Sequence, residues 1–279
     1  MNGWTLLIRK EGREAFRSRW FAITVGSFAA IALALAAFSM IGSGYVGLPG
    51  FGRTAATLVN LSMLLASLMG LGLGTLSWAV ERENGTLAYL LSYPISRAQV
   101  FVAKAIGGAL ALAAAMALGF GAAGLGIGLG GGLGGPEEIA RYTGLAVGAT
   151  LLAWIAYGIG MAIGVGLRRQ STALGVTLIA WLIAVFLSDL GLMGLTWAIG
   201  LSPVWLWWLA LLNPLHGFRI LSMVMLNGSP DLLGPAGWFA WQTYGEALGS
   251  MLFGAMLIWL AFAFLVAALR FRMLRDSGL

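Results

Sequence analysis

Few residues in this sequence could do chemistry, and most are arranged for something other than catalysis. Gly119-Phe120-Gly121-Ala122-Ala123-Gly124 spells the G-x-G-x-x-G string of dinucleotide-binding turns. That use needs a strand before the glycines and an acidic residue about 20 positions further on. Here the string lies inside an apolar helical run, where small residues let helices approach closely. There is no Gly-x-x-x-x-Gly-Lys-Ser/Thr loop, and the only lysines are Lys10 and Lys104. The chain therefore carries no phosphate loop for ATP hydrolysis. His216 with Met223 and Met225 offers soft ligands, but methionines at helical spacing around one histidine read as packing, and no metal site is expected. Cysteine is absent, which excludes disulfides and Cys/His metal centres. No Ser–His–Asp or paired-carboxylate arrangement is recoverable, so the chain is not expected to be an enzyme. Asp189 is a lone acid towards the outer end of an apolar span, where an ionisable group is costly. It is a pathway or pairing candidate, with exposure at the outer interface as the alternative.

A different kind of chemistry, that of a docking surface, is written into residues 81–94: Glu81-Arg82-Glu83-Asn84-Gly85-Thr86-Leu87-Ala88-Tyr89-Leu90-Leu91-Ser92-Tyr93-Pro94. Gly85 can close the preceding helix by turning left-handed. Leu87, Leu90 and Leu91 then form an i, i+3, i+4 apolar face on a short helix that Pro94 stops. Ser96-Arg97-Ala98-Gln99 reads as a capping box opening the next helix, with Ile95 and Val100 as its hydrophobic staple. A mere connection could be four or so residues long, whereas this one is a delimited helix. Its leucines suit an apolar groove on a partner, and Glu81, Arg82 and Glu83 suit ion pairs at the rim of such a groove.

What positions this segment is a bilayer. Of 279 residues 60% are hydrophobic and only 9% charged, too few charges to cover a soluble protein of this size. Apolar spans run over about 21–43, 54–78, 100–129, 143–167, 172–198 and 247–269. The first is a predominantly apolar run of 23 positions, about 34 Å of helix, enough to cross the hydrocarbon core. Its long apolar run and extended basic preface distinguish it from a signal peptide. The expected fold is an all-α membrane protein of six transmembrane helices, forming one domain over 1–279. No polar stretch is long enough for a second, water-soluble unit, so any energy-coupling machinery belongs to another chain.

Charge sets the orientation. With the N-terminus inside, the inner segments carry Arg9, Lys10, Arg13, Arg17, Arg19, Arg82, Arg97, Lys104, Arg168, Arg169, Arg270, Arg272 and Arg275, which is 13 of the 16 basic residues. Only Arg53, Arg141 and Arg219 fall outside, and six spans return the C-terminus to the cytoplasm. The net charge of +6 is thus explained by topology and anionic lipid, and no nucleic acid is expected as a partner.

Two peripheral elements complete the reading. Over residues 4–20, Trp4, Leu7, Ile8 and Ala15 share one side while Arg9, Lys10, Arg13 and Arg17 lie opposite, an interfacial amphipathic helix running into the first span. Glu11 intrudes on its apolar side and must be neutralised, paired or snorkelled. Residues 199–245 hold a tryptophan-rich run, Trp205 to Leu209, and an Asn213–Pro214 break followed by Phe218 to Leu226. The run before Pro214 is too short to cross, and tryptophan prefers the headgroup level. The segment reads as a re-entrant or interfacial helical hairpin at the outer face, shaped by Asn213, Pro214 and Arg219. A polar, Gly/Pro-broken part from Asn227 to Tyr244 leads into the last span.

Glu81-Arg82-Glu83-x-Gly85-Thr86-Leu87, Pro94-x-Ser96-Arg97 and Lys104 resemble the coupling-helix region of ABC-2-type transporter permeases. Arg9-Lys10-Glu11 to Arg19-Trp20 is similar to the elbow helix of the same family, and the order of spans with an outer hairpin before the last one fits as well. The resemblance implies a permease subunit in a bacterial inner membrane, paired with a second permease copy as a homodimer. It implies docking of the short helix in two cytoplasmic ATPase subunits, which hold the ATP and Mg; this chain itself needs no cofactor. Leu212-Asn213-Pro214, Phe218-Arg219-Ile220-Leu221 and Tyr93-Pro94 resemble, within that family, permeases serving maturation of nitrous-oxide reductase, which implies a periplasmic accessory protein. Two other readings stand beside transport: a non-transporting ATP-driven lever acting on a periplasmic partner, and an ATP-independent carrier. A neighbouring ATPase gene would argue against the carrier, and a periplasmic scaffold gene would favour the lever or maturation reading.

Overall fold

The computed structural model describes residues 3–17, 50–92, 96–129, 135–186, 202–226 and 234–273, with 19, 22–23, 25–27, 29–30 and 33–34 between the first two. Among the described residues all regular structure is helical. The helices are α1 (Gly3–Arg17), α2 (Gly50–Glu83), α3 (Thr86–Ser92), α4 (Arg97–Leu129), α5 (Pro136–Gly166), α6 (Gln170–Phe186), α7 (Pro203–Leu211), α8 (Pro214–Met225), α9 (Gly234–Tyr244) and α10 (Leu248–Met273), with one 3₁₀ turn, Gly245–Ala247, before α10.

Among the described residues four stretches are long and apolar enough to cross a membrane: Val59–Glu83, Arg97–Leu129, Pro136–Gly166 and Gly237–Met273. They answer to the expected spans at 54–78, 100–129, 143–167 and 247–269. The expected span at 172–198 begins as α6, whose described part is too short to cross alone. Most of the expected first span, and Asp189, lie outside the described residues. Each crossing helix overruns its apolar core. At ~1.5 Å per residue α4 is ~50 Å long against a ~30 Å hydrocarbon core, so its ends stand in the headgroup layers.

The centre of the bundle is the α2–α5 pair. A Cβ added to Gly160 would fall on the Leu71 carbonyl, and one added to Gly164 on the Thr75 carbonyl. The two backbones therefore touch, as they do wherever small residues replace side chains at a membrane helix crossing. Thr75 reinforces the contact by donating to the Gly160 carbonyl (3.1 Å) and sharing a hydrogen bond with Thr177 of α6 (2.8 Å). Tryptophan N–H groups tie further helices together. Trp154 donates to the Ala109 carbonyl at 2.9 Å, Trp181 to Ser67 Oγ at 3.0 Å, and Trp259 to the Leu211 carbonyl at 2.9 Å. An indole N–H away from water gains from such a partner, and two helix carbonyls and a serine hydroxyl supply it here.

Towards the expected outer face, Asn213 ends α7 and starts α8. Its side chain accepts from the Leu215 N–H at 3.0 Å and donates to the Ala184 carbonyl of α6 at 2.7 Å, with Pro214 in the first turn where no N–H is needed. Trp205 and Trp208 are exposed while Trp207 is fully buried, its ring 6.0 Å from that of Tyr244. Arg219 sits half-buried on α8. The expected broken lead-in over 227–244 is corrected in its second half: Gly234–Tyr244 is the helix α9, packed on α7. Its glycine and proline stand at the helix start, where both are tolerated.

Candidate functional site

The Glu81–Pro94 segment is built as the sequence reading expects in outline and differently in its contacts. α2 runs on through Glu83, and Gly85 takes φ +69°, the left-handed conformation that glycine adopts without strain. Asn84 N–H donates to the Val80 carbonyl at 3.0 Å and Thr86 Oγ1 to the Glu81 carbonyl at 3.2 Å, closing the end of α2. Seven residues then form α3. Beyond it the capping box is reciprocal: Ser96 N–H donates to Gln99 Oε1 (2.8 Å), and Gln99 N–H to Ser96 Oγ (3.2 Å). Val100 is buried; its staple partner Ile95, and Pro94, lie outside the described residues.

The leucine face points inward. Leu87 is 2% exposed and belongs to the chain's own core, with Leu90 packed against that core. The apolar stripe thus seats α3 on the bundle, because burying leucine against neighbouring helices already satisfies it. What α3 turns outward is Thr86, Tyr89 and Ser92, with Tyr89 66% exposed. For Leu91 only its helical backbone is described.

The Glu81-Arg82-Glu83 charges also make contacts within the chain. Each is spent on a different helix. Glu81 pairs with Lys104 of α4, Arg82 donates to the Val165 carbonyl at the end of α5, and Glu83 accepts from the Gln170 N–H at the start of α6 at 2.8 Å. Arg168 lies close enough to Arg82 to repel it. The root of α3 is therefore a junction of α2, α4, α5 and α6, held by ionic or charge-assisted bonds.

Lys104 is the residue the sequence reading undervalued. Its side chain is 1% exposed, and its ammonium lies 2.8 Å from Glu81, 3.0 Å from Glu11 and 3.0 Å from the Ser77 carbonyl, 5.4 Å over the Trp78 ring. A buried ammonium is tolerable only when its donors are satisfied, and here three acceptors meet it. Glu11, the intruder on the apolar side of α1, is thereby paired. α1 crosses α4 so closely at Gly107 that a Cβ there would meet Glu11 and the Gly12 nitrogen. Lys10 closes the network, 3.5 Å from Glu11, 3.4 Å from Glu14 and 3.6 Å from Glu81. The signal was available: one acid and one lysine, each alone on an otherwise apolar helix face, are natural partners.

The carboxylates of Glu11, Glu14 and Glu81 have oxygens within 4.8 Å of one another, a spacing that could hold a cation. Lys104 and Lys10 already occupy the contacts, so an ion would have to displace an ammonium. A cavity of about 490 Å³ adjoins the cluster, its lining including Glu11, Glu81, Lys104, Ser77 and Tyr157 together with Leu73 and Leu174. Tyr157 OH donates to the Lys104 carbonyl at 2.8 Å. His216 stands in the first turn of α8 and Met223 and Met225 in its last turns; seven residues of helix separate His216 from Met223 by about 10 Å, too far to share one ion. Of the elbow residues, Arg9, Arg13 and Arg17 are exposed on α1, opposite the face that packs on α4.

The family profile described as ABC-2 family transporter protein matches residues 5–273. The chain is 31% identical over 231 residues to the probable ABC transporter permease protein NosY of Stutzerimonas stutzeri, covering 82% of this chain and 84% of that one. Against the probable NosY permease of Pseudomonas aeruginosa it is 31% identical over 227 residues, covering 79% and 81%. With four apolar helices long enough to cross a membrane among the described residues, and the short helix α3 between the first two of these, the chain belongs to the ABC-2 family and is a multi-pass membrane permease of an ABC transporter.

Proposed function

We propose that α3 is the element on which two cytoplasmic ATPase subunits act, and that its mount passes their ATP-driven closure to α2, α4, α5 and α6 together. The observation that carries this is the division of labour across Glu81, Arg82 and Glu83, each bonded to a different helix. A helix seated only by its leucines could slide; one whose root is pinned to four helices moves them with it. The docking surface in this reading is the outward face of Thr86, Tyr89 and Ser92, with the tyrosine as anchor. Exposed tyrosine in an aqueous loop is a frequent hot-spot residue. Leu87 and Leu90 serve as the seat. ATP and Mg belong to the ATPase subunits, a second copy of the permease completes the assembly in the bacterial inner membrane, and both termini lie in the cytoplasm.

The experiment is to purify the chain with whatever co-purifies from its native operon and measure ATPase activity after reconstitution. Gly85→Val, which puts a β-branched residue at φ +69°, should abolish transport-coupled stimulation while the protein still inserts. Normal stimulation by that variant would end the docking proposal.

A role in nitrous-oxide reductase maturation is supported by the likeness to the two probable NosY permeases and by the Leu212-Asn213-Pro214 and Phe218-Arg219-Ile220-Leu221 motifs. In that reading α7, α8 and α9 form the platform for a periplasmic accessory protein. Loss of active nitrous-oxide reductase on deletion of the gene, restored by the wild-type chain, is the expected result.

A further inference from the structure

We propose that the outer face of α1 is a binding site for the phosphate headgroup of an anionic phospholipid of the inner leaflet. Arg9, Arg13 and Arg17 stand at i, i+4 and i+8, all exposed. Among the described residues none of the three makes an ion pair or hydrogen bond, because the one acid on their side, Glu14, is held by Lys10 at 3.4 Å. The three arginines, Lys10 and Glu14 line a surface hollow of about 360 Å³. Three guanidiniums outside any ion pair among the described residues, in a concavity, are complementary to phosphodiesters, which neighbouring arginines about 6 Å apart along the helix can grip bidentately.

The source of the phosphate follows from depth and neighbours. α1 crosses α4 at Gly107, ten residues or about 15 Å from the Arg97 end, at the boundary between headgroups and acyl chains. Phe16, beside Arg13 and Arg17 on the helix surface, is 46% exposed. An outward aromatic flanking arginines matches a lipid interface, with the ring among the upper acyl carbons and the guanidiniums at the phosphates. Lys10, on the same helix, is 3.6 Å from Glu81 at the root of α3, so headgroup occupancy is wired to the proposed coupling helix. The binding claim rests on the membrane placement alone and does not require ATPase docking.

The test uses the full-length chain without any ATPase, exchanged into nanodiscs containing equal phosphatidylglycerol and phosphatidylcholine, with retained lipid counted by native mass spectrometry. At ~5-fold per basic residue near an anionic surface, wild type should retain phosphatidylglycerol at least 5-fold over phosphatidylcholine. Arg9→Gln/Arg13→Gln/Arg17→Gln should bring the ratio within 2-fold of unity, and the triple lysine variant should keep most of it. Glutamine matches arginine in helix propensity, and an unchanged melting temperature confirms folding; should the glutamine variant melt early, the wild-type preference and its loss at 0.5 M NaCl decide the matter. Equal retention of the two lipids by wild type, or an unchanged ratio in a folded triple glutamine variant, overturns the proposal. So does loss of retention on adding 10 mM inorganic phosphate, which would assign the hollow to a free anion. In a separate titration with the co-purified ATPase, association lost in a triple glutamine variant whose lipid retention is unchanged would overturn it too and assign the stripe to an acidic face of the partner.

Discussion

The ammonium of Lys104 lies 2.8 Å from a carboxylate oxygen of Glu81, although Glu81 ends one membrane-crossing helix and Lys104 stands two turns into the next. The same ammonium reaches Glu11 of α1 at 3.0 Å. One lysine thus joins α1, the root of the short helix α3 and the following apolar helix α4. In an interior of low dielectric these contacts are worth most when complete and cost most when broken.

Lys104→Met keeps the stem and removes the charge, leaving Glu11 and Glu81 buried without their main counter-ion. The expected loss is about 3–5 kcal/mol, the usual result of removing one partner of a buried pair. Lys104→Arg should recover part of it. Glu11→Gln/Lys104→Met should be more stable than the two single effects summed, because the cycle members share one network. Thermal or denaturant unfolding in detergent reads all three, and strict additivity would mean that the carboxylates do not depend on the lysine.

Gly160→Val tests the α2–α5 crossing. The added Cβ meets the Leu71 carbonyl, a backbone atom that cannot rotate aside. Overpacking of this kind costs about 1–3 kcal/mol or more. Gly175→Ala, where a Cβ meets nothing within 4 Å, is the matched control and should be neutral or mildly stabilising through helix propensity. A Gly160→Val protein as stable as the control would show the two helices to be separable.

Most of this architecture is legible in the sequence because its signals are local. Apolar length gives four of the six expected spans, Gly85 and the Ser96–Gln99 box delimit α3, and Asn213-Pro214 opens α8. What periodicity cannot say is which side of a short amphipathic helix meets its own protein. The Leu87–Leu90 face is equally suited to a partner's groove and to the chain's core, and only the packing of the chain's own helices decides for the core. The contacts of Arg82 and Glu83 are hidden for a related reason: beside a membrane a charge run ordinarily faces water, and the partners used here, the accepting Val165 carbonyl and the donating Gln170 N–H, are backbone groups that no side-chain pattern announces.

The Lys10 contacts predict an alkaline sensitivity. Burial works to lower its pKa, but Glu11, Glu81 and Glu14 together outweigh burial and raise it above the ordinary 10.5. A raised folded pKa means that the contribution is complete below about pH 10.5 and is lost as pH climbs through the folded value. Lys10 is 43% exposed, so solvent screens the effect and it should be modest. The difference in melting temperature between wild type and Lys10→Gln should be constant from pH 7 to 9.5 and shrink above pH 10.5. A difference that grows with alkalinity would contradict the arrangement.

Leu87 and Tyr89 sit two residues apart on α3 and should fail in opposite ways. Leu87 is 2% exposed in the core, and its truncation to alanine should cost about 2–5 kcal/mol of stability. Tyr89 is 66% exposed, so Tyr89→Ala should leave unfolding within about 0.5 kcal/mol of wild type. If Tyr89 anchors the ATPase subunit, its loss should weaken association of the two by about 2 kcal/mol, roughly 30-fold in Kd. Leu87→Ala, at temperatures where it remains folded, should change that Kd less. Unfolding of the permease alone and titration with the co-purified ATPase separate the two effects. The reverse outcome, a stable Leu87→Ala that no longer binds the ATPase beside a Tyr89→Ala that binds normally, would mean that α3 rolls its leucines outward on docking. It would return the docking surface to the apolar face read from the sequence.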